Sequence, residues 1–224
     1  KIHLRLAPGE SIRTPRMTVL AWSGGAERAV NLWRRWYLAH ILPRSDGEPL
    51  RPHLACAATE GGEEFTNASE ENQIRLMEKF KQAGFDFDIW WIDAGWYPCR
   101  DEETGAKIWW HTGTWKPDPE RFPRGLAPVA RRAKQLGADL LVWFEPERVY
   151  AGSELDRERP EWLLKTHPKA EGAADMNRLL DLGQAACRQW LTEHVCRLIA
   201  DNDIRVYRQD FNFPPLDYWH DNDE

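Results

Sequence analysis

The sequence has few of the features that mark metal, disulfide or membrane proteins. Its four cysteines, Cys56, Cys99, Cys187 and Cys196, form no C-x-x-C pair and have no histidine at ligand spacing. This argues against a zinc site or a disulfide framework and predicts ordinary reduced thiols. No uncharged run approaches the roughly 18 residues of a membrane-spanning helix, so we expect no membrane partner.

Positive charge is also in short supply. The 30 lysines and arginines are outnumbered by 36 acidic residues, which gives a formal net charge of −6, and the basic residues do not cluster. Nucleic-acid binding requires a basic face, so we expect no nucleic-acid partner. With 42% hydrophobic and 29% charged residues, the composition is that of a soluble globular protein long enough to bury one sizeable core.

Tryptophan, by contrast, is abundant, with 13 residues. A tryptophan-rich core would account for many of them, because indole is usually mostly buried. Indole faces also pack against the C–H faces of sugars, so tryptophans in polar loops favour a carbohydrate ligand. Six tryptophans lie outside any evident core pattern: Trp91, Trp96, Trp109, Trp110, Trp115 and Trp219.

The first fifty residues differ from the rest. Polar and apolar residues alternate around Pro8-Gly9, a pattern typical of strands and turns, and a helical apolar stripe then runs from Ala29 to Tyr37. We predict that residues 1–50 are the end of an N-terminal β-domain with a linker helix. The chain does not begin with Met, so we expect a piece of a longer protein, in which a missing signal peptide says nothing about export.

Strands and helices alternate throughout the second predicted domain, residues 51–224. Nearly continuous apolar runs predict buried strands at residues 54–59, 85–93, 138–145 and 203–210. Helical apolar stripes separate them. This order is typical of a parallel sheet covered by helices.

The lengths of the connections favour one parallel fold. The helix-to-strand joints are tight, whereas the strand-to-helix joints at 94–124 and 146–184 are long, as in barrel enzymes that build their sites at the carboxyl ends of the strands. A doubly wound nucleotide-binding fold would need a G-x-G-x-x-G turn, and Gly61-Gly62 lacks that spacing. We therefore predict an α/β fold, a (β/α)8 TIM barrel. A whole barrel needs roughly 250 residues, so only about the first four units are present.

Three of the predicted strands end in carboxylates: Asp93, then Glu145 with Glu147, and Asp210. In a parallel sheet these ends meet at one rim. A single strand-end acid could cap a helix or pair with an arginine, but three together favour acid/base or nucleophilic chemistry, and like charges in one cleft raise each other's pKa. Metal binding would normally bring histidine into the set, so we predict no metal and no cofactor.

Several motifs resemble glycoside hydrolase family 36, the melibiase-like family of retaining α-galactosidases. The resemblance covers essentially the whole chain, from the linker after the family's N-terminal β-sandwich to the fourth barrel strand. "WFEPE" combined with a strand-four aspartate and a following asparagine is the specific part. The motifs, in order, are "LAPGESIRTPRM", "WIDAGW", "KPDPERFPRGL", "WFEPERV", "RPEWLL", "LLDLG" and "YRQDFN".

The resemblance implies a catalytic role for Asp210. This residue matches the nucleophile at the end of strand four, which attacks the anomeric carbon to give a β-linked glycosyl-enzyme. Asn212 matches an asparagine just after the nucleophile, and Arg208 replaces a lysine two residues before it. A cationic neighbour keeps Asp210 ionised. A retaining glycosidase also needs an acid/base about 5 to 5.5 Å away, which in this family follows strand six, beyond Glu224.

The resemblance also implies a sugar-binding set. Asp93 matches an aspartate that binds the O4 or O6 hydroxyl of galactose, and Trp143 matches a tryptophan lining the sugar subsite. We predict Trp96, in "WIDAGW", together with Arg208 and Asn212, as further substrate-binding residues. The chain departs from the family where Ala94 replaces a second aspartate and where "LACAATEGGEEF" lacks an expected tryptophan. Arginine at position 208 is also not interchangeable with lysine.

We therefore predict a retaining, exo-acting glycosidase that removes terminal α-linked galactose from oligosaccharides or glycoconjugates, with these 224 residues inactive by themselves. The departures leave α-galactosaminidase or α-N-acetylgalactosaminidase activity open. A raffinose-synthase-like transglycosylase is another alternative, and a non-catalytic carbohydrate-binding module is one from a different class. A module would use the indoles but would not need Asp210 beside Arg208. We further predict a cytoplasmic protein that forms a homo-oligomer when full length.

Overall fold

The computed structural model describes residues 5–166 and 176–222. Contacts divide the chain into two compact units, Lys1–Pro52 and His53–Glu224. In the first unit, helix α1 spans Ala26–His40. Strands β1 (Arg44–Ser45) and β2 (Glu48–Pro49) form an antiparallel hairpin. Its two-residue turn, Asp46-Gly47, has positive φ at both positions, which is the geometry that an Asp-Gly pair favours.

The structure forms no strand in residues 5–25, where the alternation of residues predicted one. Pro8 and Gly9 do form the expected turn. A strand needs a partner for its N–H and C=O groups, and no described segment pairs with this one. The alternation reports which side chains are apolar and cannot report whether a partner strand lies alongside.

The second unit contains a four-stranded sheet. Its strands are β3 (Ala55–Ala57), β4 (Ile89–Ile92), β5 (Asp139–Phe144) and β9 (Val206–Gln209), all parallel and adjacent in that order. This confirms the predicted parallel α/β sheet. The four strands fall within the four runs that the sequence predicted.

Three helices connect these strands: α2 (Glu70–Gln82), α3 (Ala127–Gln135) and α5 (Ala185–Asp201). Helix α2 begins at Ser69, whose hydroxyl accepts a hydrogen bond from the Asn72 N–H at 3.2 Å, a reciprocal cap that satisfies otherwise orphaned groups. The strand side chains that face the helices form the main core. Trp90, for example, is fully buried.

A small antiparallel sheet is inserted between β5 and α5. It consists of β6 (Arg148–Tyr150), β8 (Asn177–Leu180) and β7 (Leu163–Leu164), in that order. Helix α4 (Glu154–Glu158) and a 3-10 turn, Pro160–Trp162, lie between β6 and β7. The sequence predicted only a long joint here. Helix α6 (Leu216–Asn222) follows β9.

Candidate active site

Asp210 lies at the carboxyl end of the parallel sheet, one residue after β9. Its backbone N–H donates to the Phe144 carbonyl at 2.7 Å, which extends the ladder between β5 and β9 by one step. A residue fixed by sheet pairing holds its side chain more precisely than one in a free loop. The Asp210 carboxylate is therefore anchored at the rim of the sheet.

Several donors converge on the Asp210 carboxylate. Trp143 Nε1 and Arg208 Nη1 both donate to Oδ2 at 3.0 Å, and the Phe211 backbone N–H donates to Oδ1 at 2.9 Å. The pKa of Asp210 is lowered to about 2. The Trp143 hydrogen bond is the largest cause, desolvation opposes the shift, and hydrogen bonds from Phe211, Asn212 and Arg208 add to it. The expectation that clustered acids raise each other's pKa is wrong for Asp210, because its hydrogen-bond donors outweigh its desolvation.

Arg208 links Asp210 to the face of the sheet. Its guanidinium lies over the Trp91 ring, 4.9 Å from the ring centroid, while Nη1 contacts Asp210. The cation–π contact fixes the guanidinium plane in a way that the point charge of a lysine would not require. The structure thus brings together the predicted pair Arg208 and Asp210.

Trp143 and Trp96 are both buried, with 1% and 0% of their surfaces exposed. Trp143 packs against Tyr97 and against the edge of Trp109, with ring centroids 6.4 and 6.0 Å apart. Trp96 Nε1 donates to the Trp143 carbonyl at 2.9 Å. Trp96 is thus enclosed and supports Trp143, which in turn presents Nε1 to Asp210; contact of Trp96 with substrate stays a prediction. Trp115 is likewise enclosed, with no exposed surface.

Asp93 stands at the end of β4, on the strand beside Trp143. Its Oδ1 accepts the backbone N–H of Ala94 at 2.7 Å, and its side chain is half-buried. Glu64 is a neighbour that the sequence did not identify. Desolvation and the negative charge of Asp93 raise the pKa of Glu64, so the two carboxylates share one part of the rim.

The loop after β3 delivers Glu64 to this place. Phe65 N–H donates to the Ala94 carbonyl at 2.9 Å, which docks the loop on the end of β4. Gly95 has φ 106°, and a Cβ there would come within 2.8 Å of the Thr66 nitrogen, so the close approach needs glycine. Glu64 itself has φ 48°, an uncommon backbone conformation for a residue other than glycine.

The two glutamates after β5 have separate environments. Glu145 is fully buried and accepts hydrogen bonds from Arg148 Nη1 at 3.3 Å and from the Asn212 backbone N–H. Burial raises the pKa of Glu145, against the opposing influence of those two donors. Glu147 instead accepts from Gln209 Nε2 at 3.3 Å, on the strand side opposite Arg208. The expected single cluster of strand-end acids therefore excludes Glu147.

The described residues offer no alternative centre of a familiar kind. Among residues 5–166 and 176–222, no group of three or more His, Cys, Asp or Glu side chains could bind a metal ion. All four cysteines are free thiols. None of the helices in those ranges is both long enough and apolar enough to span a membrane. The arrangement that remains is an ionised carboxylate beside a cation at the rim of a parallel sheet, which suits nucleophilic catalysis.

The family profile and similar curated proteins agree on one family. The Melibiase family profile matches residues 15–214. Alpha-galactosidase 2 of Pediococcus pentosaceus is 27% identical over 209 residues, covering 93% of this chain and 27% of the relative. Alpha-galactosidase AgaA of Geobacillus stearothermophilus is 25% identical over 211 residues, covering 92% and 27%. The chain thus spans about a quarter of the length of these curated relatives.

Solved structures share the fold. AgaA of Geobacillus stearothermophilus, in complex with raffinose, superposes with a TM-score of 0.58 at 21% identity, covering 71% of this chain and 21% of that one. The alpha-galactosidase TtGalA of Thermus thermophilus, in complex with p-nitrophenyl α-D-galactopyranoside, gives a TM-score of 0.56 at 25% identity, covering 78% and 33%. Since the family profile spans most of the sequence, the chain belongs to the Melibiase family.

Proposed function

We propose that these residues form the nucleophile-bearing part of a retaining, exo-acting α-galactosidase. The observation that carries the proposal is Asp210, ionised by its Trp143 and Arg208 contacts and anchored at the carboxyl rim of the sheet. Membership of the Melibiase family and relatives named alpha-galactosidase support it.

In the proposed reaction, one Asp210 oxygen attacks the anomeric carbon while the bond from that carbon to the leaving oxygen breaks. The electron pair stays on the leaving oxygen, which takes a proton from a carboxylic acid, and a β-linked glycosyl ester forms. Water, deprotonated by the same acid/base, then cleaves the ester and regenerates Asp210. We place the acid/base residue in the part of the protein that follows residue 224. Because the pKa of Asp210 is about 2, the attacking form is present at neutral pH.

We further propose that β3, β4, β5 and β9 are the first four strands of a (β/α)8 barrel. The outer edges of β3 and β9 would then pair with strands from the rest of the protein, as exposed edges require. Residues 1–50 would be the end of an N-terminal β-domain with its linker helix. A homo-oligomeric state and a cytoplasmic location stay predictions.

For substrate binding, Asp93 is the proposed acceptor for a galactose hydroxyl, with Glu64 beside it. Ala94 supplies no side-chain acceptor, so α-galactosaminides and N-acetylated α-galactosaminides remain alternative substrates. Asn212, exposed just after Asp210, is the proposed contact on the other side of the sugar. Trp143 would face the sugar through its Nε1 edge only.

The test uses the complete protein that contains this sequence and an aryl α-galactoside. Asp210→Ala should abolish hydrolysis, whereas Asp139→Ala should retain it, because Asp139 is an exposed carboxylate at the opposite end of β5. Sugar transfer exceeding hydrolysis would identify a transglycosylase. Sugar binding without turnover, unaffected by Asp210→Ala, would identify a carbohydrate-binding module and overturn the proposal.

A further inference from the structure

A buried ion pair contacts the segment that follows Asp210. Glu145 and Arg148 are 0% and 8% exposed, and Arg148 Nη1 donates to Glu145 Oε2 at 3.3 Å. Removing two charges from water is costly, and apolar residues of similar volume often serve stability as well or better. Stability alone therefore does not account for a buried ion pair at this place.

The arginine of this pair is fixed by several elements. Its Nε donates to Asn177 Oδ1 on β8 at 3.0 Å, and its guanidinium lies 5.5 Å from the ring centroids of both Trp109 and Phe213. The Thr112 hydroxyl donates to the Arg148 carbonyl at 2.7 Å. The inserted sheet and the loop after β4 therefore set the position of Arg148, and through it that of Glu145.

The glutamate in turn fixes the segment after the nucleophile. Past Asp210 the chain leaves the sheet, and Glu145 Oε1 supplies the acceptor for the Asn212 backbone N–H. The held segment carries two of the groups that hydrogen-bond Asp210, the Phe211 N–H and the Asn212 side chain.

We propose that Glu145 is a positioning residue for the nucleophile, which holds the backbone at Asn212 so that the donors of that segment remain on Asp210. This inference rests on the proposed function of Asp210. It assigns to Glu145 no contact with substrate, since Glu145 is enclosed. It also makes the inserted sheet a support of the active site through Arg148.

The most informative variant is Glu145→Asp in the complete protein. It retains the charge next to Arg148 but is one methylene too short to reach the Asn212 N–H as well. We expect kcat for an aryl α-galactoside to fall by about 10- to 100-fold, the effect of a misplacement of about 1 Å, with KM nearly unchanged. A galactose-configured cyclitol epoxide, which reacts covalently with such a nucleophile, should label Asp210 more slowly by a similar factor.

A matched control is Asp118→Asn. Asp118 pairs with Arg121, which like Arg148 is 9% exposed at the side chain, through the same i,i+3 spacing. This variant should lower stability without changing kcat or the labelling rate. If Glu145→Asp does not fold, Glu145→Leu combined with Arg148→Met removes the acceptor for the Asn212 N–H without leaving an unpaired charge, and it should show the same fall in kcat.

The outcomes separate the inference from the proposed function. If the epoxide labels Asp210 of the wild type and of Glu145→Asp at equal rates, and kcat is equal, the positioning role is refuted while the nucleophile assignment stands. If the wild type is neither active nor labelled at Asp210, the proposed function itself fails. Slower labelling in Glu145→Asp than in Asp118→Asn supports the inference.

Discussion

Replacing Trp143 by phenylalanine removes the largest influence on the Asp210 carboxylate while keeping an aromatic ring in the core. The lost contact is the 3.0 Å hydrogen bond from Trp143 Nε1 to Asp210 Oδ2. A hydrogen bond to a charged group contributes about 1.5–3 kcal/mol, and one pKa unit corresponds to about 1.36 kcal/mol. The pKa of Asp210 should therefore rise by about one to two units, from about 2 toward its ordinary value of 3.8.

The same change alters how stability depends on pH. A depressed carboxylate pKa stabilises the fold above the unfolded pKa, and that contribution is lost as pH falls through the folded pKa. In the wild type the loss falls between about pH 4 and pH 2. It amounts to roughly 1–2 kcal/mol after allowance for the 29% exposure of the Asp210 side chain. In Trp143→Phe this contribution should be smaller and confined to the upper part of that window.

The assay is carboxyl-carbon NMR of aspartate-labelled protein, with Asp210→Asn to assign the resonance. Trp115→Phe is the matched control. Trp115 belongs to the same aromatic cluster, 6.1 Å from Trp143, but among the described residues its Nε1 has no hydrogen-bond partner. It should leave the pKa of Asp210 unchanged. An equal pKa in the wild type and Trp143→Phe, or equal rises in both variants, would refute the reasoning.

Three further predictions concern activity, specificity and stability. The isolated 224 residues should turn over an aryl α-galactoside no faster than their Asp210→Ala variant, because they lack the proposed acid/base. The complete enzyme should have a kcat/KM for a 6-deoxy α-galactoside only slightly below that for the α-galactoside, because Ala94 offers no acceptor for the O6 hydroxyl. If the 6-deoxy sugar is strongly rejected, and Glu64→Ala abolishes this rejection, the hydrogen bond to O6 belongs to Glu64. Finally, Trp90→Phe should lower the free energy of unfolding in urea by about 1–3 kcal/mol, since it leaves Gln73 Oε1 without its 2.9 Å donor; no change would contradict this.

The parallel sheet could be predicted because its strands lie within nearly continuous apolar runs of six to nine residues. The inserted sheet could not, because β6, β7 and β8 have only three, two and four residues, too few to establish a period of two. The helical stripes between the apolar runs predicted the helices that the structure forms as α2 and α3. In residues 5–25 the alternation of polar and apolar residues predicted a strand that does not form, because alternation does not supply a partner strand.

Within the site, the sequence could place Asp93, Arg208 and Asp210 at strand ends because parallel strands share a rim. It could not show that Trp96 is enclosed, since a tryptophan in a loop motif reads the same whether it faces a ligand or a core. Nor could it give the direction of the Asp210 pKa shift, which depends on where the donors of Trp143 point.

The role of Arg148 is the part of the site that the sequence could least predict. In the sequence it is one arginine in "WFEPERV", and its contacts with Asn177, Trp109 and Phe213 join parts of the chain that lie far apart. Long-range packing of this kind leaves no local pattern in the sequence. The contacts of Arg148 and Glu145 are therefore visible only in the three-dimensional structure.

The most direct test of the central claim is azide rescue of Asp210→Gly in the complete protein. The glycine variant should lose hydrolysis of an aryl α-galactoside, and azide, filling the vacated place of the carboxylate, should restore partial turnover with β-galactosyl azide as the product. A structural ion pair between Asp210 and Arg208 would predict lower stability and no rescue. Retention of most of the activity by Asp210→Gly, or rescue without the β-configured azide, would contradict the account.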